Sequence, residues 1–255
     1  MPVLFLGHGS PMNALADNTF TKSISKLANE IPTPKAVLTI SAHWQTKGTY
    51  VTSTDKPRLI YDMSGFPDEL YQVKYPAAGD SELAEELHKK FIDPSIGKDD
   101  GQWGLDHGTW SVLKHLYPKA DIPVLQLSMD HSKPPLFHYE LGNKLKELRN
   151  EGVLILGSGN IVHNLRRINW ENPDSAFEWN IEFDHWAEKQ ILDQNHQSLI
   201  NDFHITEAGK LSIPTLEHYL PLLYVLGASD KSDVINFDIK GYELGSLSQR
   251  SVRLG

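Results

Sequence analysis

The chain opens with a short apolar strand that leads directly into a turn centred on a histidine. Residues 3–6 are Val-Leu-Phe-Leu, and Gly7-His8-Gly9-Ser10-Pro11 follows without a break. An unbroken apolar run predicts a buried strand, and glycine on both sides of His8 permits backbone angles that other residues rarely adopt. Because only two residues precede this strand, we expect it to lie inside a sheet. Taken alone, His8 would be interpreted as a residue that merely caps the strand.

A second predicted strand likewise consists of an apolar run that ends at a histidine. Residues 36–44 read Ala-Val-Leu-Thr-Ile-Ser-Ala-His-Trp, a nearly continuous apolar run that ends in small residues and His43. Such runs are typical of parallel strands that are covered on both faces. A third run, residues 153–156, leads into Gly157-Ser158-Gly159-Asn160 and then His163. Ligands of parallel sheets bind at the carboxyl ends of the strands, so we expect these histidines at one edge of the sheet.

Strands alternate with helical segments along the whole chain. This alternation predicts an α/β fold, a single domain over residues 1–255 with a mostly parallel central sheet flanked by helices. Further strands are predicted at 49–54, 122–128 and 234–239, the last paired with 247–253 across a glycine-rich turn. Helices are predicted at 20–30, at 81–91 with Ser81 as the N-cap, at 109–116, 134–150 and 177–194, and from 215 onwards. Residues 55–80, rich in Pro, Gly and Tyr, are expected to be irregular.

Composition excludes several classes of function. With 33 acidic against 24 basic residues, the formal net charge is −9, which argues against a nucleic-acid partner. The chain contains no cysteine, which excludes disulfides, thiolate nucleophiles, iron–sulfur clusters and cysteine-bound zinc. No apolar run reaches the roughly 20 residues of a membrane span, and the start lacks the pattern of a signal peptide. We therefore expect a cytoplasmic protein with no membrane association.

Histidine is the residue type that most strongly indicates a metal-binding site. Of the twelve in the chain, His8, His43, His163 and His218 lie in stretches bracketed by Gly, Ser or Pro. If they share one edge of the sheet, a cysteine-free set of imidazoles suits Fe(II), Zn(II) or Mn(II). The alternative is that two or three of them are packed structural histidines, and their spacing leaves both interpretations open. Others are assigned to solvated helix faces (His88, His115, His138, His185 and His196) or to loops (His131 and His204).

Five motifs occur together in an order that resembles one known family. They are Gly7-His8-Gly9-Ser10-Pro11, Ser41-Ala42-His43-Trp44, Asp106-His107-Gly108, Gly157-Ser158-Gly159-Asn160 with His163-Asn164, and Glu217-His218-Tyr219-Leu220-Pro221-Leu222. In these motifs the chain is similar to the class III extradiol ring-cleavage dioxygenases, in the branch called 4,5-DOPA dioxygenase extradiol. The resemblance extends from the first residue to the closing Gly255, and it is more specific for the family than for a substrate.

The resemblance implies an α/β fold that holds a non-haem metal, normally Fe(II), beside a small catechol and O2. His8 and His43 match the two metal-binding histidines of the family. His163 matches the histidine that lies over the substrate as acid and base, and in zinc-occupied members it can join the metal. His107 matches a histidine that orients substrate or oxygen.

The third metal ligand is where the chain departs from the better-known class III enzymes. Those enzymes use a glutamate, which gives two histidines and one carboxylate around the metal. Here Glu217 and His218 are adjacent, and for this branch we favour His218 as the third ligand. An all-histidine set carries less negative charge than one with a carboxylate, so Zn(II) can compete better for the site.

The residue types suit ring opening. Chelation by a metal lowers the pKa of a catechol hydroxyl, and a histidine such as His163 can take the second phenolic proton near neutral pH. Cleavage next to the diol would give a muconic semialdehyde. Ser158 and Asn160 are predicted to contact the substrate diol or the groups behind the ligands, with a simple turn as the alternative. Four aromatic residues are candidates for the walls of the ring-binding slot, with the core as the alternative: Trp44, Phe66, Tyr71 and Trp110.

Three functions are open at this point. The favoured one is an iron-dependent extradiol dioxygenase acting on a small catechol such as 3,4-dihydroxyphenylalanine, which needs Fe(II) and O2. The second is a zinc hydrolase with metal-bound water as the nucleophile, which needs no oxygen. The third is a non-catalytic relative of the same fold, which predicts no turnover with either metal. The native catechol, the position of cleavage and the oligomeric state are left open.

Overall fold

The strand that opens the chain lies in the interior of an eight-stranded sheet, as expected. The computed structural model describes residues 1–255. The sheet has the order β4-β3-β5-β2-β6-β1-β10-β7, and β8 and β9 form a separate two-stranded pair. The strands are β1 (Val3–Gly7), β2 (Ala36–Thr46), β3 (Thr49–Val51), β4 (Ile96–Lys98), β5 (Val124–Asp130), β6 (Val153–Gly159), β7 (Ile235–Ile239), β8 (Tyr242–Glu243), β9 (Leu247–Ser248) and β10 (Ser251–Leu254).

Four adjacent strands, β5, β2, β6 and β1, run parallel and form the centre of the sheet. On one side, β10 and β7 continue the sheet in antiparallel pairing. On the other side, β3 pairs antiparallel with β5 and parallel with β4. The prediction of an α/β fold with a mostly parallel central sheet flanked by helices is confirmed.

Helices cover both faces of the sheet, which explains why its central strands are apolar throughout. In β1, Val3 and Phe5 pack into one hydrophobic cluster with α4, α5 and α8, whereas Leu4 and Leu6 pack into another with α1 and α3. None of the helices combines the length and the apolar character needed to cross a bilayer. The helices are α1 (Thr19–Leu27), α2 (Ser81–Lys90), α3 (His107–Leu116), α4 (Pro135–Leu145), α5 (Glu178–Leu192), α6 (His196–Asn201), α7 (Glu207–Ser212) and α8 (Leu220–Gly227).

Two of the strands that lead to histidines are longer than predicted. β2 continues past His43 to Thr46, so His43 lies within the strand and not at its end. The pairing of β2 with β5 shifts register between Ile40 and Gln45, the stretch in which His43 lies. β6 likewise continues to Gly159, where a turn was predicted. A Cβ at Gly159 would collide with the backbone that precedes α8, so glycine there admits a close approach of the two segments.

Several boundaries differ from prediction for local reasons. Ser81 is not the N-cap of α2, because the side chain of Asp80 accepts the N–H of Leu83 at 2.9 Å and caps the helix instead. The helix predicted from 215 onwards begins at Leu220, with Pro221 in its first turn, where the missing N–H costs nothing. The single strand predicted at 247–253 is divided into β9 and β10. The short elements α6, α7, β4 and β8 were not predicted.

His138 was assigned to a solvated helix face, and this prediction is wrong. Its side chain is fully buried, and its Nδ1 lies 3.0 Å from the hydroxyl of Tyr224. The reason is the close packing of α4 on α8. A Cβ at Gly142 would collide with the backbone of Tyr224, and one at Gly227 with that of Tyr139, so the two glycines bring the helices together over His138.

Candidate metal centre

Five histidines line one cavity of about 540 Å³ beyond the carboxyl ends of the central strands. Each comes from a different segment, and all five are residues that the sequence analysis singled out. His8 follows β1 directly, His43 lies in β2, His107 is the first residue of α3, His163 follows β6, and His218 precedes α8. Parallel strands that end at one edge therefore bring together residues that lie far apart in the chain.

The rings of His8, His43 and His218 form a nearly equilateral triangle. Their centroids are 5.2 Å apart for His8 and His43, 5.3 Å for His8 and His218, and 5.1 Å for His43 and His218. The Nε2 atoms of His8 and His43 are 3.5 Å apart. Nitrogens that share a tetrahedral ion at 2.0–2.1 Å lie about 3.3 Å from one another. Two of the rings are therefore already close to the spacing of metal ligands.

Hydrogen bonds behind His8 decide which of its ring nitrogens faces the cavity. The Ser158 hydroxyl donates to the carbonyl oxygen of Gly108 at 2.6 Å, which uses its only proton. It must therefore accept from the Nδ1–H of His8, which is 2.9 Å away. This fixes the tautomer and leaves Nε2 of His8 as an unprotonated lone pair directed at His43.

The other two rings of the triangle each have a carboxylate behind Nδ1. Asp62 Oδ2 lies 3.3 Å from Nδ1 of His43, and Glu217 Oε1 accepts from Nδ1 of His218 at 3.2 Å. A carboxylate in this position keeps the proton on Nδ1 and makes Nε2 a better metal ligand. The Nε2 atoms of His8 and His43 lie 3.5 Å apart, and one divalent cation could bind to both nitrogens at about this spacing. The donor set therefore fits a divalent metal ion.

Burial keeps the three imidazoles neutral. Burial, reinforced by the neighbouring histidines, holds the pKa of His8 and of His218 well below the ordinary value. For His43, burial and the nearby His107 outweigh the carboxylates and lower the pKa to about 3. Neutral imidazole is the form that binds metals, so the three rings are available as ligands throughout the neutral pH range.

His163 lies directly against this triangle. Its ring stacks on that of His218 with the centroids 3.4 Å apart, and it faces the same cavity. Burial lowers the pKa of His163 to about 4, although Glu217 opposes the shift. The cavity wall therefore carries a neutral imidazole that can accept a proton from a bound molecule.

Asp62 supports His107 as well as His43. Its Oδ1 accepts the backbone N–H of His107 at 3.0 Å and lies equally close to Nδ1 of the ring, although the ring N–H is not aligned for a hydrogen bond. Burial alone would raise the pKa of Asp62, but its contacts with His107 and His43 lower it to about 2. Asp62 is therefore a fixed negative charge behind two of the histidines.

Asp106, the N-cap of α3, anchors the start of that helix to the sheet. It accepts from the hydroxyl of Ser41 in β2 at 2.7 Å and from the side chain of Gln126 in β5. Burial, reinforced by Asp62, raises the pKa of Asp106 to about 6. A Cβ at Gly108 would lie 2.6 Å from the Ser41 hydroxyl and 2.8 Å from the ring of His43. The Asp-His-Gly sequence thus lets α3 begin directly against His43.

Comparison with known proteins identifies the family. Residues 2–254 match the family described as the catalytic LigB subunit of aromatic ring-opening dioxygenase. The chain belongs to this family. The prediction of an aromatic ring-opening dioxygenase is thereby confirmed at the level of the family, and the LigB dioxygenases are metal-dependent enzymes.

Individual relatives of this LigB protein agree with that assignment. It is 47% identical to the 4,5-DOPA dioxygenase extradiol of Escherichia coli (strain K12), over 100% of this chain and 95% of the relative. It is 35% identical to the protein of the same name from Beta vulgaris, over 98% and 94% of the two chains. The crystal structure of an uncharacterized protein, JW3007 from Escherichia coli K12, superimposes with a TM-score of 0.87 at 44% identity and covers 100% of both chains.

Ser158 and Asn160 do not line the cavity of this LigB protein. Both are fully buried, Ser158 behind His8 and Asn160 behind the segment that carries His218. The backbone N–H of Asn160 donates to the carbonyl oxygen of His218 at 2.9 Å, and its side-chain amide donates to Ser248 at 2.8 Å. Their contacts are with the segments that carry the histidines, and a substrate in the cavity would not reach them directly.

The walls of the cavity differ from the aromatic residues proposed from the sequence. Of those, only Phe66 lines it. Trp44 instead stacks on Trp103, with the centroids 5.7 Å apart, and Trp110 is buried in the core, where its indole N–H donates to Ile60 at 3.0 Å. The sequence analysis had not singled out the other apolar residues of the walls: Met12, Met63, Leu165, Ile168, Trp170, Leu244 and Leu247.

Two acidic residues of the site were also missed. Asp62 lies in the segment 55–80, where no periodicity indicates which way a side chain points. Glu243 lies on the cavity wall in β8, and it contacts the turn after β1 from the opposite end of the chain. The only signal for Asp62 was the general tendency of long irregular segments to carry functional residues.

Proposed function

We propose that this LigB protein is an extradiol dioxygenase that opens the ring of a small catechol with O2, using Fe(II) held by His8, His43 and His218. The observation that carries the proposal is the triangle of three neutral imidazoles at the end of a largely apolar cavity. When bound, Fe(II) would lower the pKa of the catechol hydroxyls and supply the redox-active centre for O2. The relatives named 4,5-DOPA dioxygenase extradiol support a DOPA-like catechol as substrate.

His163 is proposed as the acid and base of the reaction. Burial lowers its pKa to about 4, so the ring is unprotonated at neutral pH and offers a lone pair to the proton of a catechol hydroxyl, which a bound Fe(II) would make more acidic. The half-buried ring faces the cavity and is held by its stack on His218, so it would meet the substrate from a fixed direction. In a zinc-loaded protein, we propose that the same ring joins the metal.

His107 is proposed to orient substrate or oxygen beside the metal. Its ring lies 3.9 Å from that of His43 between centroids, and Asp62 contacts both. Ser158 is proposed to act through His8, by accepting the Nδ1 proton, and Asn160 through the backbone of His218. This replaces direct contact with the diol, since neither residue lines the cavity.

Glu217 is the alternative third ligand, and its position argues for His218. The Oε1 atom of Glu217 accepts from the hydroxyl of Thr215 at 2.8 Å and from Nδ1 of His218, so it lies behind the ring. We therefore propose a centre of three histidines, with Zn(II) as the main competitor of Fe(II). As part of the same proposal, residues 1–255 act as one catalytic domain in the cytoplasm.

The decisive experiment compares metals and oxygen. Protein stripped with a chelator is loaded without oxygen with Fe(II) or with Zn(II) and then mixed with a panel of catechols in the presence or absence of O2. We expect oxygen uptake and a yellow ring-opened product only with Fe(II) and O2 together. Turnover with Zn(II) in the absence of oxygen would indicate the hydrolase, and no turnover under any condition would indicate a non-catalytic relative.

A further inference from the structure

Glu243 places a negative charge on the wall of the cavity without a basic partner. Its Oε2 accepts the backbone N–H of Ser10 at 2.9 Å and the side-chain amides of Gln249 at 3.2 Å and Asn13 at 3.4 Å. All three donors are neutral, so none of them forms an ion pair with the carboxylate. All three bonds also end on Oε2, which leaves Oε1 free to bind a ligand.

The carboxylate is attached to the turn that carries His8. Ser10 lies two residues after His8, and Asn13 donates both to Glu243 and to the carbonyl oxygen of His8, the latter at 3.2 Å. Gly9 adopts a φ of +61°, and a Cβ there would collide with Oε2 of Glu243. Glu243 therefore occupies a fixed position close to the proposed metal ligands.

Apart from the histidines, the ionisable side chains of the cavity wall are all acidic. No lysine or arginine lines the cavity, and besides the histidines its only ionisable residues are Asp62 and Glu243. Asp62 is engaged by His43 and His107. Glu243 is thus the carboxylate that is left for a ligand, among walls that are otherwise largely apolar. A negative charge in such surroundings attracts a cation and repels an anion more strongly than it would in open water.

We infer that Glu243 selects catechols whose ring substituent carries a positive charge, through an ion pair between its carboxylate and a substrate ammonium group. The inference rests on the proposed function, since it assumes that the catechol diol is held at the histidines. It also goes beyond the substrate that the names of the relatives indicate, because it concerns the charge of the ring substituent. Because the cavity offers no basic side chain to a carboxylate, a catechol with an amine and no carboxylate binds at least as tightly as the amino acid.

The test measures binding separately from turnover. Metal-loaded protein is titrated without oxygen, followed by tryptophan fluorescence, with dopamine as the cation, 4-methylcatechol as the neutral ring and 3,4-dihydroxyphenylacetate as the anion. We expect dopamine to bind most tightly and the anion most weakly. The Glu243→Gln variant should lower the affinity for dopamine by about 10- to 100-fold, leave that for 4-methylcatechol unchanged and improve that for the anion.

Controls separate recognition from a structural role of Glu243. Glutamine still offers an oxygen to Ser10, Asn13 and Gln249, and thermal unfolding checks that the variant is folded. Glu140→Gln, which removes an exposed charge on α4, should change none of the affinities. In the unmodified protein, added salt should weaken the binding of dopamine but not of 4-methylcatechol, which tests the ion pair without any substitution.

The inference is overturned if the unmodified protein binds the anion as tightly as dopamine, or if Glu243→Gln weakens all three ligands equally, since Glu243 would then only hold the turn. The same ligands are finally assayed for turnover with Fe(II) and O2. If dopamine binds most tightly and the anion most weakly but no ligand is turned over, the role of Glu243 in binding is supported and the dioxygenase is rejected. If the ligands are turned over but their affinities do not follow their charge, only the inference about Glu243 is rejected.

Discussion

The imidazole rings of His163 and His218 lie within 8° of parallel, one face against the other. Neutral rings rarely adopt this full overlap in the absence of further constraints, because offset and edge-to-face arrangements are preferred. Here the backbone N–H of His163 donates to Ser212 at 2.9 Å, and Glu217 holds the ring of His218 from behind. The stack therefore places a proposed proton carrier directly against a proposed metal ligand.

This arrangement predicts that binding of the metal and transfer of the proton can be separated. His163→Ala should reduce turnover of a catechol by about 10²- to 10⁴-fold, because the proposed acid and base is removed, while the iron content of the loaded protein stays the same. Metal analysis and oxygen uptake measure the two effects. His185→Ala, at an exposed position of α5, is the matched control. Unchanged turnover in His163→Ala would remove His163 from the mechanism.

A second prediction decides the third ligand. His218→Ala should prevent stoichiometric binding of Fe(II), because one of the three proposed ligands is missing. Glu217→Gln should retain the metal with about 10- to 100-fold lower affinity, since it weakens only the support behind His218. Metal titration of both variants makes the comparison. If Glu217→Gln loses the metal and His218→Ala keeps it, the carboxylate is the ligand.

A third prediction concerns Asp62, which lies behind both His43 and His107. Asp62→Asn keeps the size of the side chain but removes its charge, so the Nε2 atom of His43 becomes a weaker donor. We expect the affinity for Fe(II) to fall by about 10- to 100-fold. Competition with a chelator of known affinity measures it. An unchanged affinity would mean that Asp62 contributes to folding and not to the metal site.

A fourth prediction concerns His138. Burial lowers the pKa of this residue to about 4. Between the ordinary value of about 6.5 and this lowered pKa, the unfolded chain binds a proton at this residue and the folded chain does not. The free energy of unfolding should therefore decrease as the pH falls through this window, by at most about 1.4 kcal/mol per pH unit from this residue.

The measurement is denaturant unfolding of metal-free protein between pH 7 and pH 4, compared with His138→Leu. Other buried histidines contribute to the slope in both proteins, so the difference between them isolates His138. We expect the variant to show the shallower pH dependence. Equal slopes would mean that His138 is protonated as readily in the folded protein as in the unfolded chain.

The residues that could be predicted from the sequence are those whose positions are determined by residues nearby in the sequence. His8 was recognisable because the turn and the strand that determine its position lie within a few residues of it. Asp62 was not, since its bond to the backbone of His107 spans 45 residues and originates in an irregular segment. Glu243 contacts Ser10 across 233 residues, and only the assembled sheet brings the two together. His138 was assigned to solvent because the packing of α4 on α8 depends on glycines in both helices.

The position of β1 between β6 and β10 has a consequence for how the protein is made. The backbone N–H of Gly7 donates to the hydroxyl of Ser251 at 3.1 Å, a contact between residues 244 positions apart. Translation produces the segment that bears His8 long before it produces β10, the strand that pairs with one flank of β1. One flank of β1 consequently stays unpaired until β10 has been made, and the proposed metal ligands can reach their final arrangement only after that.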